Sequence, residues 1–372
     1  MANKLPLVFC NLARMPSILT SPFSDGDFPE LESLQTLIAR AGGAVRVQVP
    51  CEIEHGEARW PLHCVEMGSN DPEAPAVGFF GGIHGVERIG TQVLLAFLHS
   101  LIERLQWDDV LHALLQQVRL VFMPLVNPGG MQMRSRCNPA GVDLMRNAPV
   151  EADTRSAWPL RGQRLSRRLP WYRGRADQAM QPEAVAVAET VKSRLLSQRF
   201  SIAVDCHSGF GMQDRIWFPY ARTRKPIDCL PEIYALRSMF RATHPYHSIY
   251  IIEPQALQYT THGDLWDYLY DQSREMDGRL FIPLTLEMGS WLWVKKSPRQ
   301  LFDQLGMFNP VVPHRHQRAL RRHLTLFDFL IRAAISNARW RPAADARGAL
   351  NDAALAYWYR QDAGSGSGRH RA

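Results

Sequence analysis

The sequence predicts an α/β protein: a three-layer sandwich in which helices cover both faces of a mixed or parallel sheet. Two observations carry this. Short β-rich runs alternate with longer segments of helical period, and the unit ending in FSIAVDCHSG runs helix, strand, then polar tip. At 46% hydrophobic and 21% charged over 372 residues, the chain has ample material for a large core. No internal repeat breaks the alternation.

Taken in order, AVRVQV and PAVGFFGG read as strands, and VERIGTQVLLAFLHSLIERL reads as a helix with apolar positions near i, i+3, i+4 and i+7. VRLVFMPLV is the next strand. PEAVAVAETVKSRLLSQ reads as a helix opened by Pro182, and FSIAVDCHSG as a strand running into a loop. There follow a strand HSIYIIEP, a helix around GDLWDYLYDQ, a strand FIPLTLEMG and one last helix through HQRALRRHLTLFDFLIRAAI. One large domain over 1–340 is expected, its motif-bearing core at 74–295. Residues 341–372 are expected to form a loose extension ending in a Gly/Ser tail.

The formal charge of +7, from 43 basic and 36 acidic residues, is too diffuse to argue for nucleic acid. Apolar stretches such as LTLFDFLIRAAI are broken by Asp328 and Arg332, short of the ~18 clean residues a membrane span needs, so no membrane partner is expected. The opening MANKLPLVFCNLARMPS lacks the pattern of an export signal, which makes the cytoplasm the expected location. Six cysteines without CxxC pairs read as reduced, packing thiols.

Chemistry concentrates at strand ends. His84 and Glu87, three apart after PAVGFFGG, can present an imidazole and a carboxylate to one cation, although HxxE alone recurs by chance. His207, at the end of FSIAVDCHSG, could add a second imidazole from across the sheet. Such a set leaves a coordination position for water, as catalytic zinc sites do. Asp205 could orient the far nitrogen of His207 or simply pack.

With the segments NPGG at 127–130, SRCNPAGVDLMRN at 135–147 and LTLEMG at 284–289, five motifs stand in order, and over roughly 75–290 the chain resembles the M14 zinc carboxypeptidases. The spacing is similar to that of compact bacterial members, including murein peptide amidases. The resemblance implies a mixed sheet of about eight strands and one zinc per chain held by His84, Glu87 and His207. It further implies that Arg136 polarises the scissile carbonyl, Arg146 binds the substrate carboxylate, Tyr259 closes over the substrate and Glu287 is the general base. In that chemistry, zinc lowers the pKa of a bound water towards about 7 and Glu287 takes its proton. Met145 stands where the family has an asparagine that helps hold the carboxylate, which removes a hydrogen-bond donor.

The expected activity is therefore that of a zinc metallocarboxypeptidase or amidase acting on a peptide. Met145 keeps open a deacylase of N-acyl amino acids, of the aspartoacylase and succinylglutamate desuccinylase type. A metal-binding pseudoenzyme is disfavoured by Arg136, Arg146 and Glu287 beside a full ligand set. Outside enzymes, the segment 154–176, with seven arginines interleaved with Trp158, Trp171 and Tyr172, could bind nucleic acid; the simpler reading is a solvated insertion at the site rim. Asp264, Trp266 and Asp267 are candidates for the side-chain pocket, against a core-facing reading of Trp266, Tyr268 and Leu269. His314, His316 and His323 are expected on the surface, where neighbouring arginines repel a cation, and since no base is paired by pattern with Cys137 or Cys206, both thiols are expected to pack.

Overall fold

The computed structural model describes residues 28–153 and 161–360. The elements follow in the order α1 (Pro29–Ala41), β1 (Arg46–His55), β2 (Ala58–Gly68), β3 (Ala76–Gly81), α2 (Arg88–Arg104), α3 (Asp109–Leu115), β4 (Arg119–Met123) and α4 (Pro128–Gln132). Next come α5 (Pro182–Arg194), β5 (Phe200–Ser208), β6 (Asp214–Phe218), α6 (Leu230–Thr243), β7 (Tyr250–Pro254), α7 (Leu265–Arg274) and β8 (Leu280–Met288). The chain closes with α8 (Trp291–Lys296), α9 (Pro313–Arg322), α10 (Leu324–Ile335), α11 (Asn337–Trp340) and α12 (Ala344–Trp358).

The eight strands form one mixed sheet in the order β1-β2-β4-β3-β5-β8-β6-β7. The centre, β4-β3-β5-β8, is parallel; β1, β2 and β6 introduce the antiparallel pairings. Alternation along β3 defines the layers. Phe79 stacks on Phe122 and meets Phe97 of α2 and Phe327 of α10, whereas the next residue, Phe80, faces Trp266 of α7 at 5.1 Å. Helices therefore cover both faces, which is why β3, β5 and β8 are buried almost throughout and read as continuous apolar runs. After β3 the chain crosses to β4 on one side, and β5 lies on the other. This reversal opens a crevice at the strand carboxyl ends, where α/β sheets bind ligands.

Three expectations need correction. The last helix is divided at His323 into α9 and α10, and the His323 ring turns inward to the Tyr250 hydroxyl at 2.8 Å. His323 and His316 are buried, not on the surface; His316 bonds the Gln92 side chain at 2.8 Å. The C-terminal extension is docked through α12: Ala354 and Trp358 are buried, Trp358 packs edge-on against Phe218, and its Nε1 donates to the Ile252 carbonyl at 2.8 Å. The Gly/Ser tail lies outside the described residues, as do the opening segment and Arg155 and Trp158 of the arginine-rich stretch. No helix among the described residues is long and apolar enough to cross a membrane. Their five cysteines form no disulfide.

Candidate active site

His84 and Glu87 sit in the turn between β3 and α2, and His207 is the penultimate residue of β5, the neighbouring strand. The turn is held from several directions. Asn127 donates to the Ile83 carbonyl and accepts from Gly130 N–H, and a Cβ on Gly85 would stand 2.2 Å from the Gly130 carbonyl carbon, so only glycine fits this approach. From far along the chain, Asn309 accepts from Ile89 N–H at 2.9 Å and donates to the Val86 carbonyl at 2.8 Å, capping the start of α2.

The three side chains converge, with ligand atoms of His84, Glu87 and His207 all within 4.8 Å of one another. The two Nδ1 atoms face each other at 3.2 Å, and Glu87 lies 2.8 Å from the first and 3.0 Å from the second. The far nitrogens point outward to carboxylates: His84 Nε2 to Asp143 at 3.1 Å and His207 Nε2 to Asp205 at 2.6 Å. Each buried carboxylate favours a proton on Nε2 and leaves the Nδ1 lone pair turned towards Glu87. This donor set, two inward imidazole nitrogens and one carboxylate, fits zinc. Burial opposes charge on Glu87, but the His84 and His207 imidazoles outweigh it and hold the carboxyl well below its ordinary range. Asp143 is likewise held low against burial by Arg136, His84 and Arg146.

Glu287 arrives by register. On the parallel pair β5/β8, it is the residue opposite His207, and its carboxylate accepts from Phe210 N–H at 2.9 Å. Burial, then the Glu87 charge, pushes its pKa up to about 8. Arg136 donates to Glu87 at 3.0 Å and to Asp143 at 3.0 Å; Arg146 is buried, with Asp143 at 3.6 Å. Tyr259 packs between Trp217 and Phe210, and burial pushes its phenol up to about 12.

All seven sequence-predicted site residues line one cavity of about 500 Å³. Met145 lines it too, beside Arg146, and an aromatic wall of Phe210, Trp217 and Trp291 closes the other flank. A wider groove of about 630 Å³ between α2, α6 and α10 contains none of these residues, and its charged groups pair locally, Arg332 with Asp328 and Arg104 with Asp108. Of the pocket candidates, only Asp264 lines the cavity, capping α7 with a pKa pushed up to about 6 by burial; Asp267 accepts from Ala221 and Arg222 N–H. Trp266 is buried, yet its Nε1 donates to Asp205 at 2.8 Å and so braces the partner of His207. Burial raises the Cys137 thiol to about 12 and the Cys206 thiol well above its ordinary value, which removes both as nucleophiles.

The sequence assigned no role to Asp143 or Asn309, and it placed Trp266 in the side-chain pocket or the core rather than as the brace of Asp205. Asp143 had a local signal, lying inside the GVDLMRN segment three residues before Arg146. Asn309 had none, since its partners lie more than 200 residues away.

A mixed α/β sheet with a buried His-Glu-His cradle at its switch point, and a carboxylate on the next strand, defines a class of metal-centred site. Residues 51–290 match the sequence pattern of the zinc carboxypeptidases, Peptidase M14, and the chain belongs to this family. Carboxypeptidase SOL1 of Arabidopsis thaliana is 24% identical over 244 residues, covering 64% of this chain and 45% of that protein. The chain thus spans less than half the length of this curated relative. Among solved structures, thrombin activatable fibrinolysis inhibitor superposes with a TM-score of 0.62 at 19% identity, over 82% of this chain and 72% of the other. Carboxypeptidase A of Helicoverpa armigera gives 0.60 at 18% identity, again over 82% and 72%. At these identities the likeness shows the fold.

Proposed function

We propose that this chain is a zinc-dependent metallocarboxypeptidase or amidase that hydrolyses a peptide or amide bond next to a substrate carboxylate. The observation that carries the reading is the convergence, in one cavity, of the His84, Glu87 and His207 donors with Glu287 and two arginines. His84, Glu87 and His207 would hold the metal, one per chain. Zinc bound there supplies a Lewis acid that acidifies water and polarises a carbonyl. Glu287, whose acidity is weakened by burial, accepts the proton of the attacking water and passes it to the leaving amine. Arg136, fixed by Glu87 and Asp143, faces the oxyanion that develops on the carbonyl. Arg146 binds the substrate carboxylate, and Tyr259, still protonated at neutral pH, covers the bound chain as a donor.

Met145 favours a second reading. With Met145 apolar, recognition of the leaving amino acid's carboxylate rests on Arg146, and an N-acyl amino acid presents that carboxylate as a peptide C-terminus does. The test compares zinc-loaded wild type and Glu287→Gln on C-terminal peptides, N-acyl amino acids and γ-linked peptidoglycan stem peptides. Turnover of one class, reduced about 10²–10⁴-fold in the variant with zinc still bound, is expected. Unchanged turnover in Glu287→Gln, or a protein that neither takes up zinc nor cleaves any class, would refute the reading.

A further inference from the structure

The arginine-rich segment 161–175 is bonded far more heavily than a solvated insertion requires. The buried Gln163 side chain is its hub: Nε2 donates to the Ser166 and Leu169 carbonyls at 2.8 and 3.1 Å, and Oε1 accepts from Leu165 and Ser166 N–H at 2.6 and 3.0 Å. Its backbone bridges to Trp171 and Arg173 at 2.9 and 2.8 Å. The turn is then fastened to the cavity. The Tyr172 carbonyl accepts from Asp143 N–H at 2.8 Å, and buried Arg173 donates to the Arg146 carbonyl at 3.0 Å and to Glu151 at 2.8 Å. A Cβ on Gly162 would lie 3.1 Å from Arg146 Cδ, so the segment rests directly on the Arg146 stem.

Trp171 sits between these anchors with φ +59°, a left-handed conformation that a bulky residue adopts only when its surroundings impose it. It is half-buried and lines the cavity with Met145 and Arg146. Its indole N–H donates to no acceptor among the described residues. We propose that Trp171 is a specificity-determining residue that donates its indole N–H to the substrate carboxylate, at the corner where Met145 offers only an apolar side chain. The inference rests on the reading of the Arg146 end as the carboxylate site.

The test uses the zinc-loaded full chain and Trp171→Phe, which keeps an aromatic ring and removes the donor. Calorimetry measures binding of an N-acetyl dipeptide with a free C-terminus and of its C-terminal amide; kcat and KM are measured on the free acid. The expected result is about tenfold weaker binding of the acid and a matching rise in KM, with kcat and amide binding within about twofold. Met145→Asn in the Trp171→Phe background should recover most of the loss. Unchanged affinity for the acid in Trp171→Phe, or equal losses on acid and amide, would overturn the inference. Selective loss of acid binding without turnover by wild type would uphold it and remove the catalytic reading. A wild type that does not distinguish acid from amide would remove both this inference and the carboxylate role of Arg146.

Discussion

Replacing Asp205 with asparagine isolates what a buried charge does for a metal ligand. Asp205 is fully buried, and its Oδ2 accepts from His207 Nε2 at 2.6 Å and from Trp266 Nε1 at 2.8 Å. An asparagine oxygen can accept both bonds, so the ring orientation is kept while the negative charge disappears. Bonds to a charged group contribute about 1.5–3 kcal/mol and neutral ones about 0.5–1.5, a difference of roughly 1–1.5 kcal/mol. If His207 is a ligand, that difference appears as lost basicity at Nδ1 and about tenfold weaker zinc binding. Asp205→Ala removes the acceptor as well and leaves two buried N–H groups unpaired, so about a hundredfold loss is expected, with a stability cost of about 1–3 kcal/mol.

The assay is competition for zinc against a chromophoric chelator of known affinity, with far-UV circular dichroism to verify the fold. Trp266→Phe should weaken zinc binding less than Asp205→Ala, because it removes a donor to the carboxylate and leaves the carboxylate itself. Zinc binding by Asp205→Asn within twofold of wild type would refute the argument that the 2.6 Å contact tunes His207. Equal effects of the asparagine and alanine variants would show instead that shape, not charge, is what matters.

Asn309→Ala leaves the buried Ile89 N–H and Val86 carbonyl without their partner; a loss of about 1–3 kcal/mol in urea unfolding is expected, together with weaker zinc binding because the His84–Glu87 turn is loosened. Burial, then Arg322, lowers the His323 pKa from about 6.5 to about 3. The unfolded chain therefore takes up a proton that the folded chain refuses, and this residue's contribution to stability is present above about pH 6.5 and is lost at up to roughly 1.4 kcal/mol per pH unit as pH falls towards 3. His323→Gln should flatten the fall in Tm between pH 6.5 and 4, and an unchanged slope would show that other groups set it.

The readability of this chain followed the range of the forces involved. Strands such as PAVGFFGG and FSIAVDCHSG were legible because burial on both faces writes a continuous apolar run, and the residues just beyond them carried the chemistry. Two strands, each one in from an edge of the sheet, were harder. β6 is only five residues long, and β2 alternates little, so neither stands out by period. The break at His323 was hidden because a histidine at helical spacing fits either a continuous helix or an inward turn, and only the Tyr250 hydroxyl from another strand decides it. Trp266 fitted a core-facing pattern correctly, but the same pattern cannot reveal that its ring nitrogen braces Asp205.

The charges explain why these groups form one unit. With both imidazoles neutral, as metal ligands must be, the cradle contains three carboxylates, Glu87, Asp143 and Asp205, and one guanidinium, Arg136. The net of two negative charges is what a divalent cation neutralises. Without the cation the surplus falls on the imidazoles: against the opposition of burial, Asp205 and Glu87 push the His207 pKa well above its ordinary value, so the ring competes for the proton the metal would displace.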